Sequence, residues 1–195
     1  MKILAFTDLH GSLESLKKVE KKAKNCDLII CTGDFTVFSR HTKKILEQIN
    51  KLPKKFILIH GNHEDEEQIS ALCLRLKNIE FIHKKIMEVL VDGKKYTLIG
   101  YGGGGFSIRD EHFDKFMSRH TKHENIILLT HAPVYGTKLD MLWEHRGSKS
   151  IRDYIRTAKP VLAVCGHFHE HFNEEDKIKN TRIINPGPDG TIIEI

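Results

Sequence analysis

The chain has 195 residues, 39% of them hydrophobic and 29% charged, with a formal net charge of +5. That length suits one domain, 1–195, with a substantial core, and the composition excludes a disordered chain. Also excluded are a membrane span, which needs roughly 18 consecutive apolar residues, a signal peptide, and a basic block interleaved with aromatics as in binders of polymeric nucleic acid.

The expectation is a cytoplasmic protein with no membrane partner. Lysine pairs such as Lys17-Lys18, Lys43-Lys44, Lys54-Lys55 and Lys94-Lys95 read as solvated helix faces and strand edges. Cys26, Cys31, Cys73 and Cys165 show no CxxC or CxxH spacing, which argues against a thiolate metal site and for buried reduced thiols.

In chain order, Lys2 to Thr7 reads as a buried strand that stops at Asp8-Leu9-His10-Gly11. Ser12 then caps an amphipathic helix with Leu13, Leu16, Val19 and Ala23 on one face. Asp27 to Thr32 is a second strand, ending in Gly33-Asp34. A helix with Ile45, Leu46 and Ile49 follows and is closed by Pro53. The run Phe56-Ile57-Leu58-Ile59 is a third strand, ending in Gly61-Asn62-His63-Glu64. Asp65, Glu66 and Glu67 suit the first turn of a helix reaching about Lys77. This alternation predicts a parallel sheet with right-handed crossovers.

Ile86 to Leu90 and Lys95 to Ile99 flank Asp92-Gly93 as a hairpin. The glycines of Tyr101–Phe106 suit either a plain connection or close backbone approach to a ligand. Asp110 to His123 reads as a helix, and Asn125 to Thr130 as a strand ending in His131-Ala132-Pro133. A long loop, Val134 to Arg146, precedes a helix started by Gly147-Ser148. Pro160 to Val164 is a strand ending in Gly166-His167-Phe168-His169. The last strands, Thr181 to Ile184 and Thr191 to Ile195, flank Asn185-Pro186-Gly187.

Five strand ends therefore carry Asp8 and His10, Asp34, Asn62 and His63, His131, and His167 with His169. In a strand, Asp-x-His and His-x-His put both members on one face. Carboxylates and neutral imidazoles suit manganese, iron, nickel, cobalt or zinc. Without His63, seven such groups exceed the needs of one ion and suit two ions roughly 3.5–4 Å apart sharing a carboxylate, an arrangement that acidifies a bridging water and neutralises phosphoryl charge. His63, surplus to that set, is the natural general acid. The other eight of the 13 histidines, His41, His60, His83, His112, His120, His123, His145 and His171, are not read as ligands.

In this order, Asp8-x-His10, Gly33-Asp34, Gly61-Asn62-His63-Glu64, His131 and Gly166-His167-x-His169 resemble the motifs of the calcineurin-like metallophosphoesterases. The resemblance implies an α/β fold, a four-layer α/β/β/α sandwich with two central mixed sheets. It assigns Asp8, His10 and His169 to one metal and Asn62, His131 and His167 to the other, with Asp34 bridging and His63 as proton donor. Thr130-His131-Ala132-Pro133, Gly136 to Asp140 and Gly147-Ser148-Lys149 look like the small prokaryotic and archaeal members, which implies hydrolysis of small phosphodiesters, cyclic nucleotides among them.

The expected cofactors are two divalent metal ions, manganese foremost. The expected partner is a small phosphate-ester substrate, and a homodimer is compatible with the sequence. Phosphomonoesterase or nucleotide pyrophosphatase activity is the alternative, and a non-catalytic scaffold of the same fold the more distant one. Phe35-Thr36-Val37 stands where serine/threonine protein phosphatases place a further Asp and an Arg, which speaks against that activity and leaves the group orienting His63 open, with Glu64 a candidate.

Overall fold

The computed structural model describes residues 1–195. Its first sheet is built from β1 (Lys2–Phe6), β2 (Leu28–Cys31), β3 (Phe56–Leu58) and β4 (Ile79–Phe81), all parallel and adjacent in that order. Three helices make the crossovers: α1 (Leu13–Ala23), α2 (Thr42–Ile49) and α3 (Glu66–Cys73). Ser12 accepts the amide of Ser15 as the N-cap of α1, and Asp65 accepts that of Gln68 as the N-cap of α3.

The chain then moves to a second sheet. β5 (Lys85–Val91) and β6 (Lys94–Tyr101) form the antiparallel hairpin about Asp92-Gly93, where both turn residues have positive φ (51° and 75°), as a type I′ turn requires. β6 continues in parallel to β7 (Ile126–Thr130) and β8 (Leu162–Val164), joined through α4 (Glu111–Met117) and α5 (Lys149–Ala158). β9 (Glu174–Ile178) and β10 (Thr181–Asn185) close this sheet, β10 parallel to β8 and β9 antiparallel at the edge. β11 (Thr191–Glu194) returns to the first sheet, antiparallel to β1. Both sheets are mixed, of five and six strands.

Alternation along the strands separates three apolar layers. Leu4, Phe6, Ile29, Phe56 and Leu58 face α1, α2 and α3. Ile3, Ala5, Ile30 and Ile57 face Leu98, Ile127, Leu129 and Val164 across the gap between the sheets. Ile99, Leu128, Ala163 and Ile183 face Phe113, Met117, Ile151 and Ile155 on α4 and α5. The result is the expected four-layer α/β/β/α sandwich. Ile57, fully buried between the sheets, is a position where truncation to Ala costs about 2–5 kcal/mol. No helix is long and apolar enough to cross a membrane.

Two helices are shorter than the sequence suggests. α3 ends at Cys73, because the amides of Arg75 and Leu76 bond three residues back, to Leu72 and Cys73, a tightening that ends an α-helix. The segment expected as a helix to His123 stops at Met117. There Arg119 and His120 bond to Phe116 and Met117, and the Tyr154 hydroxyl donates to the His120 carbonyl at 2.7 Å. β4 and β9 are strands the sequence reading does not include.

Candidate metal centre

The C-terminal ends of the parallel strands of both sheets meet at one place. Asp8 and His10 follow β1, Asp34 follows β2, and Asn62 and His63 follow β3. His131 follows β7, and His167 and His169 follow β8. The strands stop at Phe6 and Val164, so strand alternation is not what aims Asp8, His10, His167 and His169, contrary to the sequence-based expectation. While His169 opens a single 3₁₀ turn, His169–His171, left-handed backbone turns the first three, and Asp34 with them: φ is 53° at Asp8, 44° at His10, 50° at Asp34 and 76° at His167. Each such residue costs about 1–2 kcal/mol in an L-amino acid, and their clustering marks a site where geometry is held against local preference.

Two groups of donor atoms result. Asp8, His10 and His169 form one, and Asp34, His131 and His167 the other, the ligand atoms within each lying inside 4.8 Å of one another; His10, Asp34 and His63 meet the same spacing across the two. The pair His167 and His169 is thus divided between the groups. In the first, His10 Nε2 and His169 Nε2 are 3.1 Å apart, and Asp8 Oδ1 lies 3.9 and 3.7 Å from them. In the second, His131 Nε2 is 2.9 Å from Asn62 Oδ1 and 3.4 Å from Asp34 Oδ2. Asp34 Oδ2 is also 4.0 Å from His10 Nε2, so this one oxygen faces both groups.

This donor set fits divalent cations. Two donors about 2.1 Å from one ion, at angles between 90° and tetrahedral, stand roughly 3.0–3.4 Å apart, which is the spacing of His10 and His169. Asp8 Oδ1 is buried with no hydrogen-bond partner, an orphaned anionic acceptor that needs a counter-charge. The second nitrogens of the rings are already engaged. His131 Nδ1 meets the Thr32 carbonyl at 2.9 Å and His10 Nδ1 meets the Thr36 carbonyl at 3.2 Å. A carbonyl can only accept, so each Nδ1 carries a proton, and both Nε2 lone pairs are available to an ion.

Protonation in the ion-free chain follows the same contacts. Burial works against the charge of Asp34, but His131, by hydrogen bond and charge, together with the His63 amide, brings it down to about 2. Burial likewise opposes charging of His131, yet Asp34 and Asp8 outweigh it and raise its pKa. The nearby Asp8 carboxylate raises His169. His10 is lowered, chiefly by burial, and burial also takes His167 down to about 4.

His63 stands beside both groups, its Nε2 3.9 Å from Asp34 Oδ2 and its ring 4.8 Å edge-on from that of His10. What positions it is a segment the sequence reading passes over. The Phe38 ring stacks on it at 4.5 Å and 25°, the Phe38 amide donates to Nδ1 at 3.4 Å, and the Ser39 amide donates to the His63 carbonyl at 2.9 Å. With Nδ1 accepting, the neutral ring carries its proton on Nε2, the nitrogen directed at Asp34. Phe38 itself is 73% exposed and left-handed, φ 48°.

Glu64 does not contact His63 through its carboxylate. Its two oxygens accept the amides of Asp34, Thr36 and Gly61 and the Thr36 hydroxyl, all at 2.8–2.9 Å, tying the second and third motifs together. Burial, then the charge of Asp34, raises its pKa.

The glycine loop does approach the site. A Cβ on Gly105 would stand 2.6 Å from His167 Nε2, and φ there is 103°. Asp140, buried in the long loop, accepts the amides of Gly136, Thr137 and Gly147 and faces His145 Nδ1 at 2.8 Å, which fixes the loop's shape.

A further cluster, His60, Glu66 and His83, also brings its ligand atoms within 4.8 Å of one another. Here the tautomer is the reverse. The Gly102 amide donates to His83 Nδ1 at 2.8 Å, so the Nε2 facing Glu66 bears the proton. This ring offers a donor rather than a lone pair, and burial takes His60 to about 4 and His83 to about 3.

Comparison with known proteins bears on the family and the fold. Residues 1–171 match the calcineurin-like phosphoesterase family. The uncharacterized protein MJ1162 of Methanocaldococcus jannaschii is 31% identical over 204 residues, covering 96% of this chain and 88% of its own. TT1561 of Thermus thermophilus superposes with a TM-score of 0.75 at 17% identity, over 96% of this chain and 90% of that one. A protein described as a novel archaeal phosphodiesterase superposes with a TM-score of 0.54 at 18% identity, over 96% and 84%. At these identities the solved structures speak to the fold alone. With the two mixed sheets and the clustered His and Asp donors, the match over residues 1–171 makes this chain a member of the calcineurin-like phosphoesterase family.

Proposed function

We propose that this protein is a phosphodiesterase acting on small phosphodiesters with two divalent metal ions, manganese foremost. The observation that carries the reading is Asp34 Oδ2, which faces both donor groups and also the proton-bearing nitrogen of His63. Asp8, His10 and His169 would hold one ion and Asn62, His131 and His167 the other, with Asp34 placed to serve both. When bound, such a pair supplies Lewis acidity, making water nucleophilic at neutral pH and offsetting phosphoryl charge.

The chain's own groups do the rest. Thr32 and Thr36 carbonyls keep His131 and His10 in the ligating tautomer. Glu64 holds Asp34 and Gly61 in register. His63 keeps a proton at Nε2 for the departing oxygen, and Phe38 keeps the ring turned so that this nitrogen faces the centre. The choice of the diester over the monoester rests on the resemblance of Thr130-His131-Ala132-Pro133, Gly136 to Asp140 and Gly147-Ser148-Lys149 to the small prokaryotic and archaeal members.

The deciding assay compares bis-p-nitrophenyl phosphate with p-nitrophenyl phosphate, using metal-stripped protein resupplied with Mn²⁺. Diester cleavage that requires the metal and is lost in Asp34→Asn is the expected result. Preference for the monoester would replace this reading with a phosphatase. Inactivity on both esters with every divalent metal would overturn it.

A further inference from the structure

Of the chain's ten phenylalanines, only Phe38 and Phe106 face solvent, at 73% and 79% exposure; the rest are buried or half-buried. Both exposed rings stand against histidines at the metal centre, Phe38 on His63 and Phe106 on His167. A single exposed aromatic on a protein surface needs no explanation. Here both of the exposed rings fall at one centre, and chance placement does not account for that. Phe38 already has a task, because it sets the plane and the tautomer of His63. Phe106 has none. It belongs to none of the three apolar layers, and its ring meets that of His167 at 4.9 Å and 87°, edge to face.

The glycine loop is what delivers Phe106 to this place. At its root the Gly102 amide donates to His83 Nδ1 at 2.8 Å, and the Gly103 amide donates to the His60 carbonyl at 2.9 Å. From there Gly103, Gly104 and Gly105 run left-handed, with φ 72°, 80° and 103°. At Gly105 the backbone passes so near the His167 ring that no Cβ fits, and the next side chain is Phe106. A phosphate held by the donor groups therefore has a flat apolar ring beside it, one ring beyond His167. Such a face is best covered by another flat ring, stacked offset or edge-on. A short alkyl group leaves most of it in water.

We infer that Phe106 is a specificity-determining residue, whose exposed ring receives a flat aromatic group carried on one ester arm of the substrate. The inference rests on the phosphodiesterase reading and narrows its substrates to diesters with an aryl or nucleobase arm. The donor groups take the phosphate, and Phe106 takes the ring attached to it.

The test is calorimetric binding of phenylphosphonate and methylphosphonate to the full chain resupplied with Mn²⁺. Both offer the same phosphonate to the metal centre and neither has an ester bond to cleave, so their difference reads the ring. The expected result is about tenfold tighter binding of phenylphosphonate, the scale of one base–aromatic stack, abolished in Phe106→Ala and kept in Phe106→Tyr. Equal affinities in the wild type, or a preference surviving Phe106→Ala, would overturn the assignment. So would an equal loss of both ligands in Phe106→Ala, which would make the ring a support for His167 and nothing more. Thymidine 5′-monophosphate against deoxyribose 5-phosphate then identifies the source of the ring. A preference there that depends on Phe106 supports a nucleobase arm, and a preference confined to phenylphosphonate supports a smaller aryl arm. Cleavage of bis-p-nitrophenyl phosphate reads the underlying activity separately. Its absence in the wild type removes the phosphodiesterase reading and the substrate class with it. Its presence without a preference for phenylphosphonate removes only the role of Phe106.

Discussion

Phe38 lies against His63 with ring centroids 4.5 Å apart, and its backbone amide donates to the ring's Nδ1. A solvent-exposed aromatic in left-handed backbone is costly to keep, and here it fixes both the plane and the tautomer of one histidine. His63→Ala should cut turnover of a diester with a poor leaving group by roughly 10²–10⁴-fold. Phe38→Ala, which keeps the amide but removes the stacked ring, should cost about tenfold or less. Both deficits should shrink as the leaving alcohol becomes more acidic, which a series of substituted phenyl esters measures. A deficit in Phe38→Ala independent of the leaving group would show that Phe38 does not act through His63.

The Asp34 carboxylate accepts the His63 amide at 2.9 Å and lies 3.9 Å from its Nε2, yet the two residues have separable duties. Asp34→Asn removes the charge that faces both donor groups and should lower the content of both ions. His63→Ala should retain them. Elemental analysis of the purified variants by plasma mass spectrometry checks this, and equal metal loss in both would contradict the division.

Gly105→Ala should weaken one ion more than the other. The new Cβ would stand 2.6 Å from His167 Nε2, a separation real Cβ atoms do not show. Displacement of that ring affects the His131 and His167 group and spares the Asp8, His10 and His169 group. Metal titration should turn from two bound ions to one tight and one weakened by tenfold or more.

Glu64→Gln should destabilise the fold without removing any candidate ligand. Glu64 accepts four hydrogen bonds, and the amide NH₂ would place donors against the donors of two of them. Leaving such buried groups unpaired costs about 1–3 kcal/mol each. For a chain of this length, each kcal/mol lowers Tm by about 2–4 °C. A thermal melt of the metal-free protein reads the change directly.

The ion-free and ion-loaded proteins should respond to pH in opposite directions. His131 and His169 are raised above 6.5 by Asp34 and Asp8, so the folded ion-free chain holds protons that the unfolded chain releases. That stability is fully present below pH 6.5 and is lost as pH rises through the folded values. His10 and His167, lowered chiefly by burial, are already neutral in that range and do not offset the loss. An ion needs the Nε2 lone pairs those protons occupy, so metal affinity should climb over the same range, with proton release on binding. Melts with and without Mn²⁺, and calorimetry in buffers of different ionisation enthalpy, test both halves.

The clustering of the candidate donors is legible in the sequence because each motif is short and sits directly after an apolar run: Asp8 after Phe6-Thr7, His131 after Leu129-Thr130. What escapes is whatever depends on contacts between distant segments. β9 reads Glu174-Glu175-Asp176-Lys177-Ile178, with no apolar signal, and becomes a strand only by pairing with β10. β4 is three residues long. The role of Phe38 depends on a ring 25 positions away, and the role of Glu64 on amides contributed by the preceding motif. Nor does sequence spacing reveal left-handed backbone at Asp or His. Asp140 is the partial exception, since Thr137 and Asp140 make a capping pair that three-residue spacing could have flagged.

The left-handed turns at Asp8, His10, Asp34 and His167 have a kinetic consequence. Because surrounding contacts hold these residues in unfavourable conformations before any cation arrives, the ligands need not be gathered by a moving loop. Ion uptake should therefore proceed in simple bimolecular phases, at rates that follow how fast each aqueous ion sheds its hydration water. Manganese would load faster than nickel for reasons belonging to the ion and not to the chain.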